Sequence, residues 1–140
     1  MVELALRPDP LRPGIYILDD VQFFGPETVH KRGGVRSHIW RPPTDVYETD
    51  DALIVRVEIA GLNEEAFSIL LEGRMLTIRG ARSEQPERRA YHQMEIRFGE
   101  FSTEVELPHP VIANQAEATY SNGFLCMVLP KVQPQHIQVE

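Results

Sequence analysis

Five histidines (residues 30, 38, 92, 109 and 136), one cysteine (Cys126) and three acidic pairs (Asp19-Asp20, Asp50-Asp51, Glu64-Glu65) carry the reactive groups of this 140-residue chain. Metal binding by histidine calls for an i, i+4 pair on a helix or a Cys-His spacing, and these histidines show neither. A cysteine nucleophile needs a base. Cys126 lies in Phe124-Leu-Cys-Met-Val128, where no base is at hand, so it reads as a small core or edge residue. The acidic pairs have the chemistry of a glycosidase carboxylate pair, but each stands in a turn-like context, and a turn role needs fewer assumptions. There is no glycine-rich phosphate loop, no Walker pattern and no G-x-S-x-G. These residues predict neither enzyme nor cofactor. The chemistry that remains is association. Ile137 and Val139 form an Ile-x-Val pair in an otherwise polar tail. In an extended chain both side chains point the same way, and they have no core of their own to enter.

Such a pair needs a scaffold, and the sequence from residue 44 onward reads as strands. Leu53, Val55, Val57 and Ile59 share one face, with Ile54, Arg56 and Glu58 opposite. Phe67, Ile69 and Leu71 repeat the pattern, with Leu70 on the outward face. Gly73-Arg74 then turns the chain into Met75–Arg79. Phe101–Leu107 alternates again and stops at Pro108. Asn122-Gly123 joins two further strands, because both residue types tolerate positive φ. Short strands without a long amphipathic helix predict an all-β antiparallel β-sandwich, with at most one helical turn at Glu64-Glu65-Ala66. Residues 80–95 are long, charged and interrupted by Pro86, which marks a functional or mobile connection.

Proline marks the other boundary. Six of the 11 prolines lie at 8, 10, 13, 26, 42 and 43, and none from 44 to 85, so residues 1–42 read as an irregular N-terminal arm. That arm is nevertheless apolar, carrying Ile15, Tyr16, Phe23, Phe24 and Trp40 among others. Phe23-Phe24 either packs on its own domain or meets clients and other subunits. Residues 44–140 hold 8 basic and 16 acidic side chains, which argues against a nucleic-acid surface. A single cysteine excludes an intrachain disulfide and fits a reducing compartment. With no apolar leader and no stretch of about 18 apolar residues, the expectation is a soluble, cytoplasmic protein without a membrane segment.

Five sequence elements, in order, resemble the small heat-shock proteins, the alpha-crystallin-type chaperones. They are Pro43-Thr-Asp-Val-Tyr47, Leu76-Thr-Ile-Arg-Gly80, Gly99-Glu-Phe101 with Leu107-Pro108, Ala118-x-Tyr120-x-Asn122-Gly-x-Leu125 ending in Leu129-Pro-Lys131, and Ile137-x-Val139. The resemblance implies an immunoglobulin-like sandwich at 43–131, the arm at 1–42 and an extended C-terminal tail at 132–140. It implies an ATP-independent holdase that binds partly unfolded client proteins and works as a dimer-based homo-oligomer. Tyr91, His92, Gln93 and Met94 would add to the partner's sheet near Asp45, Val46 and Tyr47. Ile137 and Val139 would anchor in a neighbour's groove between strands 67–71 and 116–121, lined by Leu70, Ala118, Tyr120 and Leu125. Phe23, Phe24, Ile15 and Tyr16 would meet clients.

The sequence departs from the family in places. Ala60-Gly61 stands where Pro-Gly is usual, and Ile96 and Thr103 replace arginines that support the dimer interface, with Arg97 the nearest substitute. The rival readings are a monomeric CS-type co-chaperone adaptor, which lacks an exchange loop and an anchoring tail, and a small hydrolase, which needs a nucleophile–base set.

Overall fold

The computed structural model describes residues 2–11, 13–18, 39–62, 67–84, 89–133 and 139. Among the described residues nine strands follow one another: β1 (Val2–Pro8), β2 (Ile15–Leu18), β3 (Thr44–Glu48), β4 (Ala52–Glu58), β5 (Phe67–Glu72), β6 (Met75–Arg82), β7 (Gly99–Glu106), β8 (Glu117–Ser121) and β9 (Phe124–Pro130). All strand pairs are antiparallel, in the order β3-β4-β9-β8-β1-β2-β5-β6-β7. The layer β3-β4-β9-β8 and the layer β5-β6-β7 form the two sheets of a sandwich. Their alternating apolar residues make one core: Leu53, Val55, Val57, Leu125, Met127 and Leu129 from the first, and Phe67, Ile69, Leu71, Leu76, Ile78 and Phe101 from the second. Each side chain so buried contributes about 1.5–3 kcal/mol before ordering costs. Ile54, expected on the solvent face of β4, is also buried. Its register partners Tyr47 and Val128 stand on that same face and shield it.

The turns follow their chemistry. Glu72 pairs with Met75, leaving Gly73-Arg74 as a two-residue loop with Gly73 at φ 60°. Ser121 pairs with Phe124 around Asn122 (φ 54°) and Gly123 (φ 81°), the positive pair that the right-handed strand twist favours in a hairpin. Leu107, the buried residue after β7, donates its N–H to the Arg74 carbonyl at 2.7 Å. A 3-10 turn at Ala113–Gln115 precedes β8. The turn expected at Glu64-Glu65-Ala66 lies outside the described residues.

The arm departs from the irregular course expected of it. β1 pairs with β8 through Val2–Ala5 and with β2 through Leu6–Pro8, while β2 pairs with β5 through Ile15–Ile17. The hairpin β1–β2 thus bridges the two sheets along one side of the sandwich. Pro10 and Pro13 sit in its turn, where no ladder donor is needed. Asp9 N–H donates to the Ile15 carbonyl at 2.8 Å, and the Asp9 carboxylate accepts from Leu11 N–H at 2.9 Å. Leu6, 5% exposed, joins the core, and Tyr16 packs against it. On the other side Trp40 forms a parallel bridge with Phe101. Trp40 N–H donates to the Glu100 carbonyl (3.1 Å) and its carbonyl accepts from Ser102 N–H (2.9 Å), after which the chain crosses to β3.

Candidate functional site

β3 is the edge of its sheet. Asp45, Val46 and Tyr47 pair inward with Arg56, Val55 and Ile54, and among the described residues nothing pairs with their outer side. Val46 and Tyr47 are exposed, unusual for large apolar side chains on an edge strand. Beside Asp45, a shallow depression is lined by Pro43, Asp45, Arg56, Glu58 and Phe124, with the Arg56 guanidinium 5.0 Å from the Phe124 ring centre. The connection from β6 to β7 forms no strand among its described residues. It exposes Tyr91 (47%), Met94 (59%) and Ile96 (66%) along with His92 and Gln93. Arg82 closes its base: Nε donates to the Arg97 carbonyl at 2.8 Å, Nη1 donates to the Ala60 carbonyl at 3.2 Å, and the guanidinium stacks over Trp40 at 4.7 Å. Nothing in the sequence pattern singled out this arginine. Its long reach to a distant carbonyl has no local signature.

Between β5 and β8, where a groove was expected, the Phe67 and Tyr120 ring centres stand 5.8 Å apart. The Tyr120 hydroxyl donates to the Ile59 carbonyl (2.7 Å) and accepts from Leu62 N–H (3.4 Å). Ala118 and Leu125 are fully buried, whereas Leu70 and Tyr120 are half-buried. The facing edges of β8 and β5 carry the hairpin: Leu4 pairs with Ala118, Val2 with Tyr120, Ile17 with Leu70 and Tyr16 with Leu71. Ile15 and Tyr16, expected to meet clients, are here half-buried in β2. Two sequence signals could have pointed to this hairpin, the alternation Val2-x-Leu4-x-Leu6 and the apolar run Ile15–Leu18, but the prolines led to the irregular reading. Phe23, Phe24 and Ile137 lie outside the described residues, and Val139 is exposed.

Among the described residues no group of three or more His, Cys, Asp or Glu is placed to hold a metal ion. Cys126 is half-buried between register partners Arg56 and Thr119. One charged cluster forms at the end of β3. Lys131 Nζ donates to Glu48 Oε2 at 3.2 Å and His109 Nε2 lies 3.3 Å from the same oxygen. The bond from the Lys131 ammonium holds the Glu48 carboxyl below the usual carboxylate range. No helix among the described residues is long and apolar enough to cross a membrane.

Residues 45–140 match the model of the Hsp20/alpha crystallin family. The chain belongs to the Hsp20/alpha crystallin family. It is 33% identical over 92 residues to small heat shock protein C2 of Rickettsia felis, covering 64% of this chain and 60% of that protein. It is 34% identical over 96 residues to heat shock protein 16 of Schizosaccharomyces pombe, covering 66% and 67%. The chain spans about three fifths of the length of the first of these curated relatives. The solved structure of heat shock protein 16.0 from Schizosaccharomyces pombe superposes with a TM-score of 0.60 at 30% identity, covering 71% of this chain and 98% of that one. Membership of this family of small heat shock proteins supports a chaperone role. Against the family pattern, Thr103 is buried where an arginine was expected. Its hydroxyl meets Thr44 Oγ1 at 2.9 Å and accepts from Arg41 Nε at 3.2 Å. Arg41, from the chain entering β3, therefore brings a guanidinium to this position, while Arg97 offers its carbonyl to Arg82. Ala60, in place of the usual proline, packs where any Cβ on Gly123 would come within 3.0 Å.

Proposed function

We propose that this chain is an ATP-independent holdase that binds partly unfolded proteins, prevents their aggregation and works as a dimer-based oligomer in the cytoplasm. The observation that carries the reading is that, among the described residues, the outer edge of β3 is unpaired and the β6–β7 connection is exposed and forms no strand. Val46 and Tyr47 on the one, and Tyr91, Met94 and Ile96 on the other, are apolar groups left to solvent. In a dimer Tyr91–Met94 of each copy extends the partner's sheet at Asp45–Tyr47, satisfying backbone groups and covering this surface together. In this division residues 43–131 form the paired domain, 1–42 the client-binding arm with Phe23 and Phe24, and 132–140 the tail whose Ile137 and Val139 link dimers. Clients are held passively: exposed core is covered before it meets another client. The protein mixed with a heat-labile enzyme is expected to suppress turbidity at near-stoichiometric ratios, with and without nucleotide. A strict ATP requirement overturns the holdase, and a monomer in light scattering returns the choice to a CS-type adaptor.

A further inference from the structure

β5 and β8 are each paired on both sides. β5 lies between β2 and β6, and β8 between β1 and β9. Four register pairs tie β1 to β8 and three tie β2 to β5, all on the two edges that bound the groove. Leu6 fills the space between the sheets, and Tyr16 packs against the same core. While the hairpin is in place, neither strand has a free row of backbone donors and acceptors, so no other extended segment can add to them. Yet the hairpin is two short strands, which are marginal alone in water and hold only through what they dock on. Such elements open at the low-stability end of a protein's local transitions.

We propose that the hairpin β1–β2 is an internal plug, and that the carboxy-terminal tail of a second copy binds the β5/β8 groove only by displacing it. The inference rests on the tail-anchor reading given above. The sequence beyond Lys131 supplies the competitor: Pro134 prevents the β9 ladder from continuing, and Ile137 and Val139 share one face of an extended chain. Such a segment restores bonds along one of the two freed edges and replaces part of the apolar burial that Leu6 and Tyr16 provide. Assembly and release of the arm are then one event. Each tail that docks frees the apolar residues 15–18 from their sheet, and each tail that leaves lets them return.

The test uses the full chain carrying Ile137→Gly and Val139→Gly, so that its own tail does not compete, and a fluorescent peptide of residues 132–140. Anisotropy titration compares this chain with the same chain carrying Leu6→Asp, which sets a charge where the hairpin buries an apolar group. The peptide is expected to bind the Leu6→Asp chain at least tenfold more tightly. Equal affinity for both overturns the plug and leaves the tail anchor standing. Binding to neither overturns both. Hydrogen exchange on the chain with Leu6 intact gives a second measurement, independent of how Leu6→Asp folds. Saturating peptide should accelerate exchange at residues 2–8 and 15–18 and leave β4 and β9 protected. Bound peptide with an undiminished hairpin signal overturns the proposal.

Discussion

Gly123 meets two demands that other residues fail. Its φ of 81° lies in the left-handed region, and a Cβ there would stand 3.0 Å from the Ala60 Cβ and 3.2 Å from the Ala60 Cα. The neighbour is tied in place, because Ile59 N–H donates to the Gly123 carbonyl at 2.8 Å. Gly123→Ala is therefore expected to cost about 1–3 kcal/mol through backbone strain alone, read as a lower urea midpoint with unchanged slope. A midpoint equal to the parent's shows that the turn relaxes freely. Glu48 carries a different consequence. Its folded-state pKa is depressed by Lys131, so the stabilisation is present above the unfolded value of 4.5 and is lost as pH falls through the folded one. The pair is solvent-exposed, so the effect is small. Glu48→Gln should melt slightly below the parent at neutral pH, and the two curves should converge under acid conditions. A gap that persists in acid assigns the contact to packing rather than charge.

At the scale of elements, legibility followed the reach of each signal. Strands β4 to β9 and the loops Gly73-Arg74 and Asn122-Gly123 were readable because period-two burial and positive φ are local demands. The arm was not. Pro8, Pro10 and Pro13 argued for irregular chain, but Pro8 ends β1 and the other two occupy a turn, positions that cost no ladder bond. What decides the arm is the pairing of Leu4 with Ala118 and Ile17 with Leu70, contacts far apart in sequence that no local pattern encodes. The compensating Arg41–Thr103 contact was hidden for the same reason. The β6–β7 connection was legible as length and charge, and its use as an exchange segment is testable. Replacing residues 83–92 with a short glycine-containing turn keeps Arg82 and Arg97 at the base but removes Tyr91 and His92. Monomers are expected in light scattering, since edge addition runs through backbone bonds and needs the segment's reach. Dimers that survive the replacement pair through another edge.

At the scale of the molecule, the proposed function needs something to join dimers into a particle. The sandwich core closes without the tail, for every large side chain of β9 that faces inward, Leu125, Met127 and Leu129, is already fully buried by the domain itself. Val139 is exposed, so removing its side chain takes nothing from that core. Docked in a neighbour's groove, Ile137 and Val139 would each contribute about 1.5–3 kcal/mol before ordering costs, too little for one contact to persist at low concentration. Held in a closed assembly, many such contacts would act at high effective concentration and would together sustain a particle whose subunits still exchange. On the plug proposal, competition from the hairpin would lower the net gain of each further, which favours exchange over permanence. Changing Ile137 and Val139 to Gly deletes the apolar groups and leaves the tether's length intact. The assembly is expected to fall to dimers in light scattering at low micromolar concentration, with a thermal midpoint for the sandwich close to that of the parent. If the parent's mass is retained, the tails do not join the dimers, and the arm holds the particle together.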